Sequence, residues 1–483
     1  MSVVLGVVDT SEGRVRCGPL DAVDPYGAVI TSSPSSFELS WVRPSPLPLY
    51  YRAGHGRLEV GGDLPAFLDG RSRPAPDPGM LLTFVQGHVP PPDASALSGV
   101  RRLSPGTVVR VDRAGVTVGR SAPALVDRRN GLRNAVAEVL ADDPEPVVAY
   151  SGGLASAFVA LSLRAPRLVH ADLGLPRARP LAVLPGLEVR HVKIGVDELL
   201  DVTAHVSGDE LHPPMPDIAV PARLAAVLAA DAGRPLIGGS LLKDLVSAKL
   251  PEVDPGTRGW RLLTCEPFHV VGTLTNLTRA RELLGVRTVH ALQGRPDRQE
   301  FEGPPPVKRT GADPLPWLTD LGRAELDTTS GGVLAVWREH VDFLPPVLGR
   351  LVAGLEERGT SGFRTPAVEA GVLGAAAGET TGRIRRGGFQ NHLPMWRVVE
   401  KAGVTGVCTS SPGHWLRVAA ATYLRAHRRT LMTGIARQCA LADMGLIDPE
   451  VVLRMLADGP NTAAHAMPLL RLVWLERWLG GIR

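Results

Sequence analysis

Apolar residues recur along this chain in three rhythms. Through residue 125 they come as short runs, Val3–Val8, Leu47–Tyr51, Leu58–Val60, Val108–Val111 and Val116–Val118, parted by Gly, Pro and Asp. Runs of that length between turn residues predict strands, so residues 1–125 read as a β-rich domain. From residue 126 the rhythm alternates. Apolar positions at helical spacing over 130–141, behind Asn130 as a cap, predict a helix. A strand-like run from Val147 meets Ser151-Gly152-Gly153, and apolar helix formers then run to Leu163. Further strands are predicted at Arg167–Leu173, Leu187–Ile194 and Pro235–Ile237, the last preceded by a helix over 221–232. Strands alternating with helices predict a parallel sheet whose ligands sit at the carboxyl ends of its strands. Asp172 falls at such an end, where it can serve as a turn cap, an ion-pair partner or a nucleotide contact.

The third rhythm is helical. Residues 255–330 are rich in Pro and Gly and predict no regular element. Beyond them helices are predicted at Val333–His340, Phe343–Arg358, Pro394–Ala402, His414–His427, Arg429–Met444, Pro449–Ala457 and Leu469–Leu479. Trp474 and Trp478 lie one helical turn apart, a spacing that predicts a core pair rather than a ligand platform.

Composition changes this picture little. With 483 residues, 44% hydrophobic and 21% charged, the chain reads as a soluble protein of two or three domains. Lysine occurs only at Lys193, Lys243, Lys249, Lys308 and Lys401, so a mechanism that needs one has few candidates. The net charge of +4 is mild, and the densest basic groups, Arg383/Arg385/Arg386 and Arg425/Arg428/Arg429, have no nucleic-acid motif around them. They read as solvated faces first and as anionic-substrate or peptide contacts second. Cys17, Cys265, Cys408 and Cys439 form no Cys-x-x-Cys pair, which fits a reducing cytoplasm better than a disulfide scaffold or a zinc site. There is no basic leader and no apolar run of bilayer length. The expectation is a cytoplasmic protein with no membrane span and no nucleic-acid partner.

The most specific chemistry lies in the glycine turn. Glycines between a strand and a helix let the backbone approach a ligand, and the helix start directs unpaired N–H groups outward, a geometry that suits phosphate. Ser151-Gly152-Gly153-Leu154-Ala155-Ser156-Ala157 resembles the pyrophosphate loop of ATP-pyrophosphatase folds, written Ser-Gly-Gly-Leu-Asp-Ser-Ser in the asparagine synthetase family. Ala155 stands where the family has Asp, and Ala157 where it has the last Ser. Gly61-Gly62-Asp63-Leu64 and the stretch Gly99–Val109 resemble pieces of the family's N-terminal domain, the second its hairpin before the synthetase domain. The run Leu441–Leu453, with Leu472–Leu479 at the end, resembles the close of lasso-peptide cyclases. Those relatives adenylate an acidic side chain and close a macrolactam onto the peptide's N-terminal amine.

The resemblance implies a β-rich glutaminase-like (Ntn-type) domain over 1–125. It implies an ATP-pyrophosphatase (PP-loop) domain over 126–483, with a parallel sheet and a helical C-terminal part. It further implies ATP as cofactor, held by Ser151, Gly152, Gly153, Leu154, Ser156, Asp172 and Gly238. The implied partners are a precursor peptide and an active synthetase homologue or a leader-peptide protease. Three departures bear on activity. Glutamine-hydrolysing members begin with a catalytic cysteine at position 2, and here that position is Ser2, a far weaker nucleophile. After the fourth strand the family's Gly-Asp-Gly-Gly-Asp-Glu holds Mg²⁺, whereas this chain has Gly238-Gly239-Ser240-Leu241-Leu242-Lys243-Asp244. Ungapped, the acids fall on Gly239, Leu242 and Lys243. A one-residue shift brings Asp244 to the last acidic position but leaves Lys243 where the metal ligand stands, and a lysine cannot hold the metal, so no metal ligand is expected and Mg²⁺ is doubtful. Before the helix at His414, the cyclases' lysine and arginine fall on Ser411 and Cys408.

Losing one preorganised stabilising group costs roughly 10²–10³ in rate. Adenylation needs phosphate held at the loop, Mg²⁺ on the pyrophosphate and a cation at the developing charge, and losing all three approaches the whole acceleration that many enzymes achieve, which starts at roughly 10⁶. The first reading is therefore an asparagine-synthetase-like protein of lasso-peptide biosynthesis with little or no catalytic activity. The second is an active, divergent ATP-dependent cyclase in which Lys243, Asp244 or Arg386 has taken over a catalytic role.

Overall fold

The computed structural model describes residues 4–9, 16–17, 28–42, 49–62, 67, 74–87, 93–120, 131–175, 181–202, 213–246, 315–329, 363–407 and 413–482, less short gaps within these spans. Ser2, Ser240, Arg386, Cys408 and Ser411 lie outside the described residues, as do the helices predicted at Val333–His340 and Phe343–Arg358.

The β-rich expectation for the first 120 residues holds. The strands β1 (Val4–Asp9), β2 (Arg16–Cys17), β3 (Ala28–Ser33), β4 (Ser36–Trp41), β5 (Tyr50–Gly54), β6 (Arg57–Gly61), β7 (Val100–Arg102), β8 (Thr107–Asp112) and β9 (Gly115–Arg120) form two antiparallel sheets. Their orders are β2-β1-β6-β5-β7 and β3-β4-β8-β9. Alternation along β4 buries Phe37, Leu39 and Trp41, which meet Leu58, Val60 and Tyr51 of the other sheet in one core. The stretch Gly99–Val109 is not the hairpin expected of it. β7 pairs with β5 and β8 pairs with β4 and β9, so the chain crosses from one sheet to the other. The cause is Leu103: it is 3% exposed in the shared core, with its N–H on Leu49 O at 2.7 Å. The helix α1 (Pro78–Gln86), capped by Asp77, covers the outer face of the first sheet.

Five strands make the second framework: β10 (Val147–Ala149), β11 (Arg167–Asp172), β12 (Val189–Lys193), β13 (Leu236–Ile237) and β14 (Phe363–Arg364). All neighbours are parallel, in the order β12-β11-β10-β13-β14. Period-2 alternation sends Val148, Leu168 and Ile237 to one face, against α2 (Leu132–Val139), α3 (Leu154–Ser162) and the helix Leu393–Lys401. Val147, Val169 and Leu236 go to the other, against α4 (Val196–Leu200), α5 (Pro216–Ala232) and the C-terminal helices. This is a doubly wound sheet. The chain order reverses between β10 and β13, and ligands of such sheets bind at that reversal, outside the carboxyl ends of the strands.

Several boundaries moved for tertiary reasons. The N-cap of α2 is Gly131, which has no side chain to cap with, and Asn130, the expected cap, lies outside the described residues; Leu132 N–H donates to Glu379 Oε1, 3.0 Å away and 247 positions along the chain. α5 starts at Pro216, a good first helical residue, and carries Pro221 inside it. The helix expected over Arg429–Met444 is broken into Arg428–Arg437 and Ala440–Asp443. Glu476 receives the Ala440 and Leu441 N–H groups at 2.6 and 2.9 Å, which pays the cost of that second start.

The closing helix, Ala466–Ile482, buries Trp474 and Trp478 completely, as the core reading predicts. It also carries Arg471, 8% exposed, whose Nε and Nη2 donate to Asp217 of α5 at 2.7 and 2.8 Å. Its Nη1 donates to Gln86 O at 3.3 Å, at the carbonyl end of α1. One guanidinium thus joins the β-rich part, the doubly wound sheet and the last helix, and a common core runs through Leu81, Val220 and Trp474. No described helix is long and apolar enough to cross a membrane.

Candidate functional site

The glycine turn stands at the carboxyl end of β10, beside the reversal in strand order. Gly152 is in the left-handed region at φ 74°, which glycine alone adopts at no cost. Ser156, 5% exposed, braces the turn: its hydroxyl donates to Gly153 O at 3.0 Å and accepts from Ser151 N–H at 3.3 Å. Ser151 Oγ accepts in turn from Gly153 N–H at 3.3 Å. Both serines therefore hold the backbone in shape. No side chain of the N-cap residue, Gly153, closes the start of α3. A helix start of that kind offers its first-turn N–H groups and the positive end of its dipole to an anion.

Across the reversal, Gly238 and Gly239 follow β13. Gly238 is buried and its N–H is taken by Arg364 O at 2.9 Å. Gly239 lies against α3 so closely that a β-carbon there would be 2.6 Å from the Ala155 carbonyl carbon and 2.8 Å from Ser156 N. The two glycine turns are therefore in backbone contact. Beyond Gly239 comes α6 (Leu242–Leu245), whose Leu242 and Val246, the residue after it, are fully buried in the core that holds Leu154, Ala157 and Phe158. Lys243 is half-buried on α6, and Asp244 follows it there.

The residues singled out from sequence thus fall into three groups. Ser151, Gly152, Gly153, Leu154 and Ser156 form one turn, with Gly238 next to it and Lys243 and Asp244 on the following helix. Leu154 turns its side chain to the core, so only its backbone faces the turn. Asp172 ends the neighbouring strand and acts as a turn cap, its Oδ1 accepting from Gly174 N–H at 3.1 Å. Arg386 is outside the described residues, between the strands β15 (Gly382–Arg385) and β16 (Gly388–Asn391). Among the described residues no three His, Cys, Asp or Glu side chains converge as metal ligands.

Two side chains beside the turn were not singled out from sequence. Tyr150, 1% exposed, donates its hydroxyl to Ala182 O at 2.6 Å, and burial pushes its pKa up to about 12. His170, 6% exposed on β11, places Nδ1 2.6 Å from Tyr150 O. A carbonyl only accepts, so Nδ1 carries the proton. Neither residue belongs to a motif; a lone Tyr or His in an apolar run gives no signal until the strand neighbours are known. A cleft of about 420 Å³ lined by Val147, Arg167, Val189, Arg190 and Ala232 lies at the opposite, amino ends of β10–β12. It is remote from the turn, and both its arginines are engaged, with Glu145 and Asp231.

The arrangement is suited to seating an anionic group on backbone N–H donors. Among the described residues Ala155, Gly239 and the core residue Leu242 bring no carboxylate to the two turns. No protein-family profile matches the chain, and no curated protein matches it.

Proposed function

We propose that this chain is an asparagine-synthetase-like protein of lasso-peptide biosynthesis that keeps a nucleotide-phosphate framework and has lost efficient catalysis. In this reading it is cytoplasmic and binds a precursor peptide beside an active synthetase homologue or a leader-peptide protease. The finer fold assignment belongs to the same proposal: an Ntn-type glutaminase-like domain over 1–125 and a PP-loop domain over 126–483. One observation carries the reading. Two glycine turns meet at the reversal of a doubly wound sheet, and Leu242, on which one of the family's acids falls in the ungapped alignment, is fully buried. Phosphate binding there needs only backbone N–H groups, whereas adenylation also needs Mg²⁺ and a cation at the developing charge.

The second reading, an active divergent cyclase, draws on Lys243, whose half-exposed position on α6 can supply positive charge next to phosphate. The deciding experiment is ATP–pyrophosphate exchange by the full chain with an acidic precursor peptide, paired with calorimetry of ATP and of peptide. Peptide binding without exchange is expected. Exchange that Lys243→Ala abolishes would establish the second reading instead.

A further inference from the structure

The Gly152 side of the turn is covered by the segment 181–184. A β-carbon on Gly152 would lie 2.6 Å from Leu181 Cδ2. Ala182 and Leu184 are 5% and 1% exposed, packed in the core with Leu154 and Phe158, whereas Val183 between them is 80% exposed. A segment that alternates in this way lies on the surface as a strap, with its inward residues wedged beside α3. Tyr150 is its polar tie. The hydroxyl reaches Ala182 O, while the Tyr150 carbonyl, immediately before the turn, is held from the other side by His170. The same residue that leads into the glycine turn therefore fastens what lies over it.

We infer that Tyr150 is a positioning residue whose hydroxyl fastens the 181–184 strap over Gly152, and that release of the strap opens this face of the turn to an anionic ligand. The second half rests on the phosphate-binding reading proposed above; the first half does not. A buried phenol bonded to a carbonyl is also an ordinary way to satisfy a core tyrosine, so the test must separate fastening from simple packing.

Hydrogen exchange of the full chain, read on peptides spanning 181–187, provides that test; Leu187 N–H, bonded to Leu184 O at 3.2 Å, is a reporter within them. In Tyr150→Phe, which keeps the ring, exchange there should rise about three- to tenfold, the loss of one hydrogen bond, with α3 unchanged. An unchanged strap, or an equal rise in α3, overturns the fastening. Leu181→Ala keeps the tie and removes the cover, so inorganic pyrophosphate should associate several-fold faster than with the parent chain. An unchanged association rate overturns the gating. If neither chain binds pyrophosphate, the phosphate reading fails together with the gating, and the exchange result on Tyr150 still decides the fastening.

Discussion

Gly239 and Ala155 meet backbone to backbone: a β-carbon on Gly239 would fall 2.6 Å from the carbonyl carbon of Ala155 and 2.8 Å from its oxygen. That contact joins the turn after β13 to the start of α3 and fixes the width of the candidate site. Gly239→Ala must push the two turns apart, because the obstructing atoms are backbone. We expect a loss of about 1–3 kcal/mol, read from urea unfolding. A neutral result would mean that the turns separate freely.

On the proposed reading, adding one acid of the asparagine synthetase pattern should not create activity. Ala155→Asp puts one carboxylate at a half-buried position, and ATP–pyrophosphate exchange should stay at background because the other positions remain Gly239, Leu242 and Lys243. Leu242→Asp should be worse than neutral: the site is fully buried, and an uncompensated carboxyl there should cost several kcal/mol and lower Tm sharply. Measurable turnover in Ala155→Asp alone would show that the acids' role is filled elsewhere.

Arg471→Ala should cost about 2–4 kcal/mol. The substitution strands Asp217 and removes the donor at the end of α1; the figure lies towards the low side for a buried pair because the Asp217 side chain is 36% exposed. Arg471→Lys should recover little, since an ammonium cannot span both carboxylate oxygens and the α1 carbonyls at once. Equilibrium denaturation of the two variants checks both statements.

Glu379→Ala should destabilise the start of α2 by about 1 kcal/mol, the ordinary cost of a lost cap. Exchange of the first-turn amides of α2 should rise while that of α3 does not.

Cys439 should resist thiol reagents in the folded chain and react once it is unfolded. It is 6% exposed, and burial first, then the Glu476 carboxylate, push its pKa from 9.0 up to about 12. The folded state keeps a proton that the unfolded state loses. Stability from this group is therefore full below about pH 9 and declines as pH rises towards 12. Tyr150 acts in the same direction, from 10.0 up to about 12. Cys439→Ala should flatten the alkaline arm of a stability–pH curve.

Much of the framework was readable from local pattern. Pro449–Ala457 was placed to the residue because Asp448 caps it within three positions and Pro449 suits its first turn. The strands β10, β11 and β13 and the glycine turn were likewise visible, since apolar runs and Ser-Gly-Gly are short-range signals. The crossing at Leu103 was not, because Leu-x-Pro-Gly between two strands fits a hairpin equally well.

The amino-acid sequence by itself determined a β-rich start, an alternating α/β middle, a helical end, and a turn whose glycines can approach a phosphate. Only the tertiary structure decided the order β12-β11-β10-β13-β14, and with it that Gly239 touches Ala155, that Glu379 caps α2 and that Arg471 ties α1 to α5. Each of these joins residues far apart in the chain, and local propensity carries no information about such pairs. Side-chain alternation told which residues would be buried; which partner they would meet was set by the packing of the two sheets and their helices.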